Sequence, residues 1–288
     1  MNDTARFDSY ITHVELSFTD VCNYECSFCP QSTHFNSKNI MSERTLQRAL
    51  DHVLEFDHFV HIYVSGRGEP TLHPEFEHFI KTIYDRIKNT PHSLKMFTNG
   101  ARLREVAYLI PCFDRLYLNI YDETPEEKRD ALVRAFQFFY NVNIEFKLTS
   151  IPEFYGYRRE FSKRFPIKRL FSNRAGSVHS EKTSDRFVPD AQYASTCARP
   201  FFSIFVEATG DYSLCHDDWK HSLSLPSVHS TSMIDYVNKD PQFLRIANNL
   251  LHGRRDYSPC NRCNRKLEWI HYFTPEKLQS LKKAYIDV

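Results

Sequence analysis

Glycine is scarce in this chain, 7 residues in 288. A residue that costs conformational entropy wherever it is not needed marks, when rare, the places where the backbone requires it. No apolar run approaches the roughly 18 residues that span a bilayer, and the opening MNDTARFDSY lacks the basic start and apolar middle of a signal peptide. Neither charge is in excess. Lys and Arg total 37 against 36 for Asp and Glu, a formal charge of +1, which gives no electrostatic case for a nucleic-acid or anionic-membrane surface. Internal repeats and low-complexity segments are also missing. The expectation is a cytoplasmic protein with one large core, or one core plus a small appended domain. In that reducing compartment its 8 cysteines are expected to be metal ligands or buried thiols rather than disulfides.

What is present is a rhythm of strands and helices. THVELSF (12 to 18) alternates like a strand, and SERTLQRALDHVLEF (42 to 56) places Leu46, Ala49, Leu50, Val53 and Leu54 at helical spacing behind a Ser42 cap. HFVHIYVS (58 to 65) reads as the next strand, and 74 to 88 as a helix with Phe76, Phe79, Ile80, Ile83, Tyr84 and Ile87 on its apolar stripe. SLKMFT (93 to 98), DRLYLNIYD (114 to 122) and VNIEFKLTS (142 to 150) are further strands, with RLREVAYLI as a short helix between the first two. A helix over 124 to 140 carries Thr124 as cap, Pro125 at its first position and Glu127 completing a capping box. A weaker helix over 153 to 164 and a strand near 167 to 172 close the series. Strands alternating with helices predict a parallel sheet, here a partial (β/α)6 TIM-like barrel.

After about residue 174 the rhythm breaks. FFSIFVEATGDYSLC (201 to 215) reads as a hairpin with its turn at Ala208 to Asp211, followed by a helix around 240 to 252 and a last helix over 274 to 285. The expected organisation is a barrel over residues 1–190 and a small α+β extension over 191–288.

Three cysteines, Cys22, Cys26 and Cys29, crowd into TDVCNYECSFCPQS directly after the first strand. A structural zinc site closes with four protein ligands, so three thiolates on one loop need a distant fourth or leave one position open. In barrel enzymes the chemistry sits at the C-terminal ends of the strands, where this loop lies. The spacing, with Phe28 before the last cysteine, resembles the signature of the radical S-adenosylmethionine (radical SAM) superfamily. The resemblance implies that the three thiolates hold a [4Fe-4S] cluster whose fourth iron binds the methionyl end of S-adenosylmethionine. Reductive cleavage then gives a 5′-deoxyadenosyl radical that abstracts hydrogen from a substrate. VSGRGEPTLHPEF (64 to 76) is similar to the family's GGEP element, with Arg67 standing where Gly is common. On that likeness Gly66 and Gly68 would admit the cofactor's methionyl end and Glu69 would bind its ammonium group. FTNG (97 to 100) matches a common turn of the family, and Asn119 in YLNIYD is the candidate ribose contact.

Cys197, Cys215, Cys260 and Cys263 form a second set, drawn from three places as a closed tetrahedral site is. Zinc and iron–sulfur both fit that count. CARPFFSIFVEATGDYSLCHDDW followed by PCNRC resembles the extension of SPASM and twitch radical enzymes, which implies one auxiliary [4Fe-4S] cluster. FSNRAGSV (171 to 178) is similar to a segment of the same subgroup and places Asn173, Arg174 and Gly176 at the mouth of the last barrel strand. Cys112 falls at the opposite end of the barrel and reads as a buried thiol. His73 is either near the cofactor or a helix cap, and His216, Asp217 and Asp218 either surround the second cluster or are solvated.

The resemblance implies dehydrogenation or epimerisation of a small sugar, cyclitol or nucleoside, with radical modification of a peptide or protein side chain as the alternative. The short segment before the first strand leaves no room for a leader-binding domain, which inclines the expectation to the small substrate. An electron donor such as flavodoxin or ferredoxin is implied, with no membrane or nucleic-acid partner. A reading of another class is a non-catalytic, zinc-stabilised binding protein that uses both cysteine sets structurally.

Overall fold

The computed structural model describes residues 6–26, 29–31, 37–120, 144–148, 177, 197–221, 223–253, 258, 260–263, 276 and 279. Seven strands form one sheet: β1 His13–Ser17, β2 His61–Ser65, β3 Ser93–Thr98, β4 Arg115–Ile120, β5 Ile144–Leu148, β6 Ser203–Val206 and β7 Tyr212–Ser213. Their order is β5-β4-β3-β2-β1-β6-β7. All neighbours run parallel except β6 and β7, which are antiparallel. This is the mixed α/β class with a parallel sheet that the sequence predicts, and an open arc of five consecutive strands is consistent with a partial barrel.

The period of two along each strand sorts the side chains onto two faces. Val14 pairs with Ile62, Ile62 with Leu94, and Met96 with Leu116 in register, so one face is continuously apolar and buried. The helix Glu43–Val53 starts at Ser42, whose hydroxyl accepts the Thr45 N–H at 3.1 Å, and buries Leu46, Ala49, Leu50 and Val53. The helix Phe76–Ile87 buries Phe76, Phe79, Ile80, Ile83 and Ile87, but Tyr84 from the expected stripe is 39% exposed. The opposite face of the sheet is polar and aromatic. There His13 stacks on Tyr63 at 5.2 Å, Tyr63 on Phe97 at 5.5 Å and Phe97 on Tyr117 at 4.5 Å.

Two expectations need correction. The segment after β3 is a run of turns leading to a 3-10 helix, Ala107–Cys112, rather than an α-helix. Pro111 lies inside it, lacks the N–H that an α-helix would use and biases Ile110 away from the α region. Beyond β7 an unexpected helix, Met233–Lys239, precedes the expected one, which runs Pro241–Leu251 with Asp240 Oδ1 accepting the Phe243 N–H at 2.7 Å. The expected helices at 124–140 and 153–164 and the strand at 167–172 lie outside the described residues, as does all but Glu276 and Gln279 of the final helix.

The C-terminal segment is joined to the sheet rather than hung from it. β6 takes the free side of β1 with His13 opposite Ser203 and Leu16 opposite Val206. Phe7, before β1, packs on Phe201 and Phe243 with ring centroids 5.4 and 6.1 Å apart, and its N–H donates to Asn238 at 2.7 Å. Among the described residues, no helix is long and apolar enough to cross a membrane.

Candidate functional site

The first cysteine loop leaves β1 at Ser17, and its root is pinned by a dense set of hydrogen bonds. Asp20 N–H and Thr19 Oγ1 both donate to the Asn39 carbonyl at 2.9 and 3.0 Å, while Ser37 and Asn39 donate to the Asp20 carboxylate at 2.7 and 2.9 Å. Along the loop Cys26 is buried, Cys22 and Cys29 are half-buried, and the Cys29 N–H donates to the Cys26 carbonyl at 3.0 Å. Asn99, from the turn after β3, donates to Asn23 at 2.9 Å and lies 4.0 Å from the Cys22 sulfur. Burial pushes the Cys22 thiol up to about 11, with Cys29 close enough to add its charge. Phe28 lies outside the described residues. Among the described residues, no three His, Cys, Asp or Glu side chains are gathered tightly enough to hold a metal ion. Cys22 and Cys29 are electrostatic neighbours at one strand end.

The two glycines of GRGEP press their loop against that root. Gly66 has φ +128°, and a Cβ there would fall 2.1 Å from Ser17 Oγ; a Cβ on Gly68 would fall 2.1 Å from the Val21 carbonyl oxygen. The Gly68 and Glu69 N–H groups donate to the Thr19 and Val21 carbonyls at 2.9 and 2.8 Å. The close approach the glycines permit is therefore to the chain leading into Cys22. Glu69 is buried, and its Oε1 accepts from Thr71 N–H, Thr71 Oγ1 and Thr98 Oγ1 at 3.2, 2.7 and 2.6 Å, while Oε2 accepts the Asn99 N–H at 2.7 Å. Burial raises its pKa and these bonds oppose the rise. Each carboxylate oxygen offers about two acceptor positions; Oε1 is fully used and Oε2, with one donor, retains capacity for one more. His73 is a structural cap: its Nδ1 accepts the Glu75 N–H at 3.1 Å and its Nε2 meets the Met41 carbonyl at 2.9 Å. Asn119 is half-buried near the C-terminal end of β4, in register with Lys147.

Arg67, between the glycines, crosses to the other half of the chain. Its side chain is 1% exposed and forms a bidentate ion pair with Glu207, with Nε 3.1 Å from Oε2 and Nη2 on Oε1. Nη1 donates to the His216 carbonyl at 2.5 Å and Nη2 to the Asp218 carbonyl at 3.0 Å, and the guanidinium lies 4.7 Å from the Phe205 ring and 4.9 Å from that of Trp219. A residue that reads as a departure from a family pattern thus joins the two halves through a buried ion pair and two backbone carbonyls.

The second cysteine set is spread over three places. Cys197 precedes the short helix Arg199–Phe202, Cys215 follows β7, and Cys260 opens a 3-10 turn, Cys260–Arg262, that is closed by a 3.2 Å bond from Cys263 N–H to the Cys260 carbonyl. None of the four is in a disulfide, and all are half-buried. Burial drives the Cys215 thiol far above its ordinary value, and Cys263 is near enough to contribute. Asp217 and Asp218 are buried rather than solvated. His216 Nδ1 lies 3.7 Å from the Glu15 carboxylate on β1, to which Ser65 Oγ donates. Cys112 sits before β4, at the opposite end of the sheet from the cysteine loop. Asn173, Arg174 and Gly176 lie outside the described residues.

Glu207 and Glu15 are functional candidates that the sequence does not single out, whereas Asn99 lies in the FTNG turn. The available signal is modest: a lone carboxylate at a strand end, or on the polar phase of an apolar strand, needs a partner when buried.

A family model described as the Radical SAM superfamily matches residues 16–142, and one described as an iron-sulfur cluster-binding domain, SPASM, matches residues 197–264. A probable GTP 3',8-cyclase of Thermococcus kodakarensis is 31% identical over 124 residues, 42% of this chain and 38% of that protein. A tungsten-containing aldehyde ferredoxin oxidoreductase cofactor-modifying protein of Pyrococcus furiosus is 28% identical over 93 residues, 32% of this chain and 25% of that protein. The matched stretch is well under half the length of these curated relatives. Among solved structures, BtrN in complex with AdoMet and 2-DOIA superposes with a TM-score of 0.68 at 17% identity, covering 88% of this chain and 93% of that one. Native anSMEcpe with bound AdoMet and Cp18Cys peptide gives 0.59 at 16%, covering 95% and 99%. These likenesses establish a shared fold.

Proposed function

Because the chain belongs to the radical SAM superfamily and carries a SPASM-type extension, we propose that it is an enzyme that dehydrogenates or epimerises a small sugar, cyclitol or nucleoside. The family match brings S-adenosylmethionine and a [4Fe-4S] cluster, and the extension an auxiliary iron–sulfur cluster. The donors fit: soft thiolates suit iron–sulfur, none of the eight cysteines is tied up in a disulfide, and Cys22 with Cys29 and Cys215 with Cys263 are electrostatic neighbours. Cys22, Cys26 and Cys29 would hold the first cluster, and Cys197, Cys215, Cys260 and Cys263 the second. When bound, the first cluster and S-adenosylmethionine supply a 5′-deoxyadenosyl radical, with the electron drawn from a flavodoxin or ferredoxin.

The chain's own residues then have definable tasks. Glu69 would receive the methionyl ammonium at Oε2, and Gly66 and Gly68 hold its loop down on the root of the cysteine loop. Phe28 and Asn119 are the remaining cofactor candidates. The observation that carries the small-molecule reading is the polar face of the sheet. Glu15 with Ser65 from the barrel and His216 from the extension meet there within ion-pair distance, a set suited to hydroxyl or amino groups rather than to an apolar ligand. BtrN, whose fold this chain shares, holds 2-DOIA beside AdoMet. The second reading, modification of a peptide side chain, is favoured by anSMEcpe, the same fold with a bound peptide.

Anaerobic reconstitution tests the proposal. About eight irons per chain, release of 5′-deoxyadenosine on reduction, and an oxidised or epimerised product from a panel of amino- and hydroxy-bearing rings are expected. Turnover confined to peptides would replace it with the second reading. A colourless protein with stoichiometric zinc would replace it with the non-catalytic binding protein.

A further inference from the structure

We propose that Arg67 is a positioning residue that fixes the second cluster relative to the S-adenosylmethionine site and raises its reduction potential. The inference rests on the reading above that Cys215 is a ligand of a second cluster. Three observations carry it. The Arg67 backbone belongs to the first site: its N–H donates to Ser17 Oγ at 3.2 Å, and the flanking Gly68 N–H donates to the Thr19 carbonyl at 2.9 Å, three residues before Cys22. Its side chain belongs to the second: the carbonyls of His216 and Asp218, the first and third residues after Cys215, both accept from the guanidinium. The group is sealed from water, 1% exposed between the Phe205 and Trp219 rings. A shift of the loop after β2 is therefore carried by one side chain into the Cys215 loop.

The charge has its own consequence. A guanidinium stays protonated at all accessible pH, and a fixed positive charge in a low-dielectric surrounding favours the more negative, reduced state of a thiolate-held cluster. Glu207 acts in the opposite sense, so the two partners of one ion pair pull the potential in opposite directions. A purely structural contact has no such signature.

The test is an anaerobic redox titration followed by electron paramagnetic resonance on the reconstituted full chain. The first cluster is identified as the signal that S-adenosylmethionine perturbs, and the second as the one that it does not. Arg67→Gln is expected to move the second midpoint to more negative potential by at least tenfold in the equilibrium, 59 mV for one electron, and Glu207→Gln to move it the other way. If Arg67→Gln fails to retain the second cluster, Glu207→Gln, which keeps the guanidinium, carries the test alone. Midpoints unmoved in both variants, or moved in the same direction, would overturn the inference while leaving the enzyme reading intact. A wild-type chain with only about four irons would instead overturn the two-cluster reading on which it rests.

Discussion

Glu69 accepts the backbone N–H of Asn99 at 2.7 Å, so one carboxylate on the loop after β2 fixes the turn after β3. The same Asn99 reaches Asn23 through its side chain. The loops after β1, β2 and β3, which carry residues proposed for the first site, are in this way bonded to one another by the chain's own groups, as a preorganised cofactor seat requires.

Glu69→Gln tests that arrangement. A Gln amide can still accept from Asn99 N–H and donate to a threonine hydroxyl, but the buried Thr71 N–H loses its acceptor. The unfolding free energy is expected to fall by about 1–3 kcal/mol in urea titrations of the unliganded chain. Affinity for S-adenosylmethionine, followed by equilibrium dialysis of the reconstituted protein, is expected to fall at least about tenfold, because an ion–ion contact becomes a neutral one. An unchanged affinity would remove Glu69 from the cofactor site.

Alanine at Gly66 or Gly68 should act through the cysteine loop. The added Cβ would overlap Ser17 or the Val21 carbonyl, and at Gly66 the left-handed backbone adds strain of its own. Each is expected to cost about 1–3 kcal/mol and to lower iron retention at the first cluster, measured by iron assay after gel filtration. Full iron content with normal stability in Gly68→Ala would show that the two loops part readily.

Histidines set an acid limit on stability. Burial pushes His13 down to about 3 and His61 down to about 4, with neighbouring positive charge adding to both. The unfolded chain therefore binds protons below about 6.5 that the folded chain refuses, and stability is present above that pH and lost as pH falls toward 4. Each histidine is expected to contribute about 1–2 kcal/mol of that loss between pH 7.5 and pH 5. Urea titrations at the two pH values should show the difference, and the pair His13→Gln, His61→Gln should flatten it.

The cysteine sets should separate by function. Replacing Cys22, Cys26 or Cys29 with Ala is expected to abolish 5′-deoxyadenosine formation. Replacing Cys260 and Cys263 should lower iron from about eight to about four per chain and leave cleavage uncoupled from product. Substrate turnover retained in that double variant would deny the second cluster a redox role, and Cys112→Ala should change neither readout.

Local periodicity was a good guide to elements that bury one face. The strand at 93–98 and the helices behind Ser42 and Asp240 stand within one to three residues of where their apolar spacing puts them. Periodicity failed where a single residue or a distant partner decides. Pro111 tightened one expected helix, and Met233–Lys239 is too short for its spacing to stand out from the loop before it. The Arg67–Glu207 pair joins positions 140 residues apart. No pattern within either segment records the other, so a buried arginine beside a strand end reads only as an oddity until the sheet brings the two strands together. Spacing alone does place the cysteine loop, because that loop is local and its neighbours follow at successive strand ends.

The place of β6 beside β1 also bears on synthesis. β1 leaves the ribosome about 190 residues ahead of the strand that covers its second edge, an interval of about 10–40 s at ordinary elongation rates of ~5–20 residues per second. Throughout that wait one side of β1 presents unpaired backbone, and the cysteine loop at its tip lacks the strand that will flank it on that side. Nascent chains stalled before residue 203 should therefore be the aggregation-prone species of this protein, and slowing translation should lower its yield more than that of a barrel closed by its own first strands.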